Sequence, residues 1–181
     1  MDRDNQMNKR IVFITGGARS GKSRFVLKEA SGVSGKKAFI ATAQALDDEM
    51  KQRIERHKLE RGDGWDEYEE PLKIVDVIRN IEGKYSVIAI DCLTLWLSNL
   101  LMNDKNVEKE IESFCRSLFT VHCSLFVVSN EVGMGIVPEN EMTRKFRDMA
   151  GLLNQKIADA ADEVYMVVSG IPIKIKDKGE L

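Results

Sequence analysis

The eight residues Gly16-Gly17-Ala18-Arg19-Ser20-Gly21-Lys22-Ser23 have the types and spacing of a phosphate-binding loop: a glycine, four residues, then Gly-Lys-Ser. Glycines let successive backbone N–H groups converge on one anion, and the helix that follows adds its own free N–H groups. Lys22 can then reach the β- and γ-phosphates of a nucleoside triphosphate, and Ser23 can hold Mg²⁺. Asp91 closes the apolar run Val87 to Ile90. A carboxylate at that place either serves the same Mg²⁺ or caps the next turn, with Thr94 at hand for the capping.

Only two histidines occur. His122 lies in Val121-His122-Cys123, between a helix and a strand, and is expected to be structural or on the surface. His57 has Arg53 and Arg61 four residues to either side, so on a helix both cations flank it. Neutral imidazole is a nucleophile, and guanidinium groups clamp phosphates. The plainer alternative is a solvated helix that happens to contain a histidine. The run Asn130-Glu131-Val132-Gly133-Met134-Gly135-Ile136-Val137-Pro138 alternates glycines with large apolar residues. It either exposes Met134, Ile136 and Val137 to a bulky apolar ligand or a neighbouring subunit, or folds into a turn that buries them.

The elements that must position these groups follow from hydrophobic pattern. Apolar runs at Ile11 to Ile14, Lys37 to Thr42, Val87 to Ile90, Leu125 to Val128 and Val164 to Val168 read as strands buried on both faces. Helices are expected from Lys22 to about Ala30, Asp47 to about Glu60, Pro71 to Ile81, Val107 to Phe119 and Asn140 to about Ala161. The second of these is too polar to be core, and Pro71 suits a first helical position. An alternating tail, Ile171 to Lys176, follows. Strand and helix alternate, so a doubly wound α/β domain is expected, with its chemistry at the carboxyl ends of the strands.

A chain of 181 residues with 43% apolar and 31% charged residues suits one domain over 10–181, preceded by a polar, frayed segment over 1–9. The net charge of −2 and the scattered basic residues argue against nucleic acid. Neither a membrane-length apolar stretch nor a signal peptide is present, so a cytoplasmic protein is expected. Cys92, Cys115 and Cys123 make neither a disulfide framework nor a zinc site, and should be reduced. From the residues alone, a phosphate-loop kinase of a small hydroxyl compound and a nucleotide-switched module both remain open.

Taken together, several motifs resemble the bifunctional adenosylcobinamide kinase and adenosylcobinamide-phosphate guanylyltransferase family of cobalamin biosynthesis. They are Gly16 to Arg24, Ala41-Thr42-Ala43-Gln44 with Asp47 to Met50, Arg53-Ile54 with His57-Lys58, Asp91 to Thr94, Asn130 to Asn140, Phe146-Arg147-Asp148 with Gly151, and Val167 to Gly170. The resemblance runs from about Arg10 to Lys176, and the Asn130 to Asn140 run is its most specific part. It implies a P-loop NTPase-type, RecA-like, mostly parallel sheet flanked by helices in one domain. It also implies two reactions: phosphorylation of adenosylcobinamide by ATP or GTP, then transfer of GMP from GTP to adenosylcobinamide phosphate with release of pyrophosphate.

In such enzymes the second reaction passes through a GMP carried on a histidine, and His57 is the matching position. Some relatives have two adjacent histidines there; this chain has Arg56, leaving one candidate. The resemblance further marks as nucleotide contacts Gly16 to Ser23 (Gly16, Gly17, Ala18, Arg19, Ser20, Gly21, Lys22 and Ser23) and Ala41, Thr42 and Ala43. Lys58, Leu59, Glu60 and Arg61 after the histidine, with Glu69 and Asp91, complete that set. Ser23 and Asp91 stand as Mg²⁺ ligands and Lys22 as catalytic with His57. A homo-oligomer, a trimer by the same resemblance, is expected, with the histidine helix near neighbouring subunits.

Overall fold

The computed structural model describes residues 9–178. The frayed segment expected over 1–9, apart from Lys9, and the last three residues of the 10–181 domain lie outside the described residues.

Three strands form the middle of the sheet because their side chains are apolar on both faces. These are β1 (Ile11–Thr15), β4 (Val87–Asp91) and β5 (Ser124–Val128), in which only Asp91 escapes full burial. β2 (Lys37–Ala41) and the short, charged β3 (Asp66–Glu69) extend one side, while β6 (Glu163–Val168) and β7 (Ile171–Lys176) extend the other. The order is β3-β2-β4-β5-β1-β6-β7, with every pair parallel except the β6–β7 hairpin. Parallel neighbours require crossover helices, and these cover both faces.

Alternation along the strands assigns each residue to a face. Ile11, Phe13, Ile88, Ile90, Leu125 and Val127 face α3 (Ile74–Ile81), α4 (Leu93–Met102), α5 (Val107–Thr120) and α6 (Glu141–Ala160). Val12, Ile14, Phe39, Ala89, Phe126 and Val128 face α1 (Lys22–Ser31). On this second face also lies α2 (Asp48–Arg61), none of whose residues is fully buried, as its polarity foretold. The Asp47 side chain caps α2 by accepting from the Met50 N–H at 2.7 Å, and Asn106 and Asn140 cap α5 and α6 in the same way.

Three elements depart from the sequence expectation. α3 starts at Ile74, not Pro71, because the Glu70 carboxylate accepts from the Leu72 and Lys73 N–H groups and holds a bend there. α4 was not foreseen at all; its residues are apolar around most of the helix, so no amphipathic stripe announces it. β3 was likewise unforeseen, since Asp66-Glu67-Tyr68-Glu69 carries little hydrophobic signal at the sheet edge. Among the described residues no helix is long and apolar enough to cross a membrane.

Candidate active site

The loop between β1 and α1 has the dihedrals its glycines were expected to supply. Gly16 has φ 144° and Gly21 φ 100°, and both are hemmed in by the β6–β7 turn. A Cβ on Gly16 would lie 2.3 Å from the Val167 carbonyl oxygen, and one on Gly21 would lie 3.2 Å from Gly170 Cα. The Gly170 N–H donates to the Ser20 carbonyl at 2.8 Å, and the Glu131 N–H donates to the Gly16 carbonyl at 3.0 Å. The loop is therefore clamped from both sides.

Inside this frame the functional side chains satisfy one another. The Lys22 ammonium donates to the carbonyls of Gly16 (2.9 Å) and Gly17 (2.7 Å), and Ser23 Oγ donates to Asp91 Oδ2 at 2.6 Å. Burial lowers the Lys22 pKa below the ordinary lysine value, opposed by the Asp91 carboxylate and assisted by the nearby Arg53 guanidinium. Asp91 thus pairs with Ser23 and does not cap α4. Thr94 is committed elsewhere, its Oγ1 accepting from the Asn130 N–H at 2.6 Å.

A cleft of about 440 Å³ opens in front of the loop. Ala18 to Arg24, Asp91 and Asn130 line one wall. α2 forms the opposite wall and turns Met50, Arg53, Ile54, His57, Glu60 and Arg61 into it. Their spacing of three and four residues puts them on one helical face. His57 is about one-third exposed, and its Nδ1 lies 3.6 Å from the Glu60 carboxylate. The far end is closed by Phe39, Ala41 and Ala43 together with Glu67 and Glu69 of β3. There the Arg61 guanidinium lies over the Phe39 ring, 4.1 Å from its centroid, and pairs with Glu67 at 2.7 Å.

Most of the residues singled out in the sequence therefore meet around one cleft, and a few do not. Gly16 and Gly17 act beneath it, through the carbonyls that hold Lys22. Thr42 is fully buried, and its hydroxyl exchanges hydrogen bonds with the backbone of Cys92, 2.8 Å in each direction, joining the ends of β2 and β4. Leu59 points away from the cleft, 83% exposed, and Lys58 pairs with Glu69 on the outer side of α2. Arg24, Phe39, Met50, Ile54, Glu67, Leu95 and Asn130 also line the cleft without having been singled out for it. The helical spacing of Met50 and Ile54 with His57 was the available signal.

The remaining expectations can also be placed. His122 is on the surface, 3.8 Å from Glu82. The three cysteines are free thiols; burial pushes Cys92 up to about 12 and Cys123 up to about 11. Val132 to Val137 does not bury its own apolar groups, for Met134 is 78% and Ile136 96% exposed. The self-buried turn is excluded.

A family model described as cobinamide kinase / cobinamide phosphate guanyltransferase matches residues 12–175. The chain belongs to this family. It is accordingly a bifunctional transferase, with a kinase and a guanyltransferase activity in one domain. The bifunctional adenosylcobalamin biosynthesis protein CobU of Escherichia coli K12 is 40% identical over 181 residues, covering 92% of this chain and 99% of that protein. CobP of Pseudomonas aeruginosa PAO1, with the same description, is 40% identical over 165 residues, covering 90% and 95%. Two solved structures share the fold at low identity. The RadB recombinase has a TM-score of 0.52 at 14% identity, covering 87% of this chain and 73% of its own. A Pyrococcus horikoshii OT3 protein has 0.53 at 8%, covering 94% and 88%. The mostly parallel, helix-flanked sheet is thus a fold these proteins share.

Proposed function

We propose that this enzyme, working in adenosylcobalamin biosynthesis, phosphorylates adenosylcobinamide with ATP or GTP. It then transfers GMP from GTP to adenosylcobinamide phosphate, releasing pyrophosphate, with His57 as the covalent carrier of GMP. One observation carries this reading: His57 faces the phosphate loop across a shared cleft, on the helix face whose Arg53 comes close to Lys22.

The geometry suits a double displacement. Glu60 lies beside Nδ1 of His57, which favours the tautomer with its proton there and leaves the Nε2 lone pair free. Attack of Nε2 on the α-phosphorus of GTP forms a P–N bond, breaks the bond to the β-phosphate oxygen and expels pyrophosphate. The imidazole then carries a positive charge that the Glu60 carboxylate offsets. A phosphate oxygen of adenosylcobinamide phosphate next attacks the same phosphorus, breaks the P–N bond and restores neutral His57. Lys22 and Arg53 bear on the charge that collects on the leaving pyrophosphate.

Ser23 and Asp91 offer hard oxygen donors side by side, the set from which Mg²⁺ is held together with substrate phosphates. When bound there, Mg²⁺ would neutralise phosphate charge. For the kinase step, positioning of the γ-phosphate by Lys22 and the loop N–H groups outweighs any strong base, because the transition state is loose. Exposed Met134, Ile136 and Val137 beside the loop suit either the corrinoid or a neighbouring subunit of a homo-oligomer.

Incubation with GTP labelled at the α-phosphate, followed by denaturation, tests the covalent step. Acid-labile label is expected on the wild-type protein and none on His57→Asn. Equal labelling of both proteins would overturn the assignment.

A further inference from the structure

The run from Asn130 to Pro138 exposes its apolar residues, but its first residue lines the cleft. β5 lies between β4 and β1 in the sheet, so the chain leaving it emerges between Asp91 and the phosphate loop. The Ser129 and Glu131 N–H groups continue the pairing with β1 by donating to the Ile14 and Gly16 carbonyls, each at 3.0 Å. The chain is therefore still extended there, and Asn130 points to the same side as Val128, toward α1. Two contacts narrow its position. The Gly16 carbonyl oxygen that accepts from Glu131 also accepts from the Lys22 ammonium at 2.9 Å, which brings Asn130 beside the lysine head group. On its other side lies Cys92, next to the Asp91 carboxylate that holds Ser23.

The backbone of Asn130 is pinned, and its side chain is not. Its N–H donates to Thr94 Oγ1 at 2.6 Å, and its carbonyl accepts from Asn154 Nδ2 at 3.2 Å. Among the described residues the side-chain amide meets only the Cys92 sulfur, a weak acceptor, at 3.9 Å. A structural asparagine of this chain behaves otherwise: Asn99 donates to the carbonyls of Thr42 and Pro71 at 2.8 and 3.0 Å. Resting on the reading that a triphosphate in this cleft phosphorylates adenosylcobinamide, we propose that Asn130 is a catalytic residue of the kinase step, aligning the acceptor hydroxyl with the γ-phosphorus. Nδ2 donates to a γ-phosphate oxygen, and Oδ1 accepts from the hydroxyl. The hydroxyl oxygen forms a bond to the γ-phosphorus, the bond from that phosphorus to the β–γ bridging oxygen breaks, and the nucleoside diphosphate leaves. The hydroxyl proton passes to an oxygen of the transferred phosphoryl group. A neutral amide suits this task, since a loose transition state requires position more than a strong base. Guanylyl transfer, at the α-phosphorus and on His57, does not involve it.

Asn130→Ala in the full chain tests this on the two reactions separately. Phosphorylation of adenosylcobinamide should lose roughly 10²-fold or more in kcat, as when one stabilising donor is removed. Calorimetric affinity for GDP, which has no γ-phosphate, should be unmoved, as should guanylyl transfer from GTP to adenosylcobinamide phosphate supplied directly. Because Thr94 and Asn154 hold the backbone, the thermal midpoint should also stay in place. Asn130→Asp keeps an acceptor but replaces the donor by a charge facing phosphate, and should be at least as slow. Unchanged kinase turnover in Asn130→Ala overturns the inference, as does wild-type turnover in Asn130→Asp. A common loss in both reactions, or weakened GDP binding, makes Asn130 a structural residue and overturns it equally. If wild type itself phosphorylates no adenosylcobinamide, the kinase reading fails and takes the inference with it. An active wild type with an unaffected variant sinks the inference alone.

Discussion

On one face of the sheet, four helices bury Trp96, Leu97, Phe114 and Leu153 completely. On the other, α2 has no fully buried residue and is held by Arg61 on Phe39 and by ion pairs to β3. The first face gains its stability from area removed from water, about 1.5–3 kcal/mol for each large side chain. The second also buries apolar area beneath α1, but α2 shares little of it, and its exposed ion pairs contribute about 0.2–1 kcal/mol each. The helix that carries His57 is thus attached weakly to a strongly built platform. The packed helices and α2 should therefore respond to different substitutions.

His57→Asn should break the comparison first if it is wrong. Guanylyl transfer should be abolished, the kinase reaction largely kept, and the thermal midpoint unmoved; equal loss of both reactions would make His57 structural. Lys22→Ala should lower turnover of both reactions by roughly 10²–10³-fold, on the scale of losing one stabilising cation. Unchanged turnover at saturating nucleotide would remove the phosphate loop from the mechanism.

Trp96→Ala, on the packed face, should instead cost about 3–5 kcal/mol in denaturant unfolding, by leaving a cavity between α4 and α5. A loss no larger than that from a substitution on α2 would erase the distinction between faces. A milder probe is ionic strength. Because α2 is docked by charge, hydrogen exchange of its amides should quicken in 1 M salt while α4 stays protected; parallel responses of the two helices would contradict the ion-pair docking. The smallest effect concerns Cys92, whose buried thiol is pushed up to about 12. At pH 8 it should resist alkylation in the native protein and react only after unfolding, so rapid native modification would show the floor of the cleft to be open.

The packed face and the site face were not equally legible in the sequence. β1, β4 and β5 announce themselves because they are apolar on both faces, and the phosphate loop because few other patterns place Gly-Lys-Ser after such a strand. α4 stayed hidden for the opposite reason: Leu93-Thr94-Leu95-Trp96-Leu97 is apolar on nearly every side, so its periodicity resembles that of a buried strand. β3 was invisible because its edge position leaves only Tyr68 with a packing role, and with it Glu67 was missed. His57 had its flanking arginines in plain view. The proximity of Arg53 to Lys22, however, depends on how α2 crosses the sheet, and hydrophobic spacing cannot encode that for a helix with no apolar face.

The turn between β6 and β7 carries a consequence for biogenesis. Val167 and Gly170 form the floor against which Gly16 and Gly21 rest, so a loop made earlier is given its shape by residues translated much later. A ribosome-bound chain that ends before Val167 lacks this mould. The loop therefore takes its final shape only after Gly170 has been made, whatever precedes it.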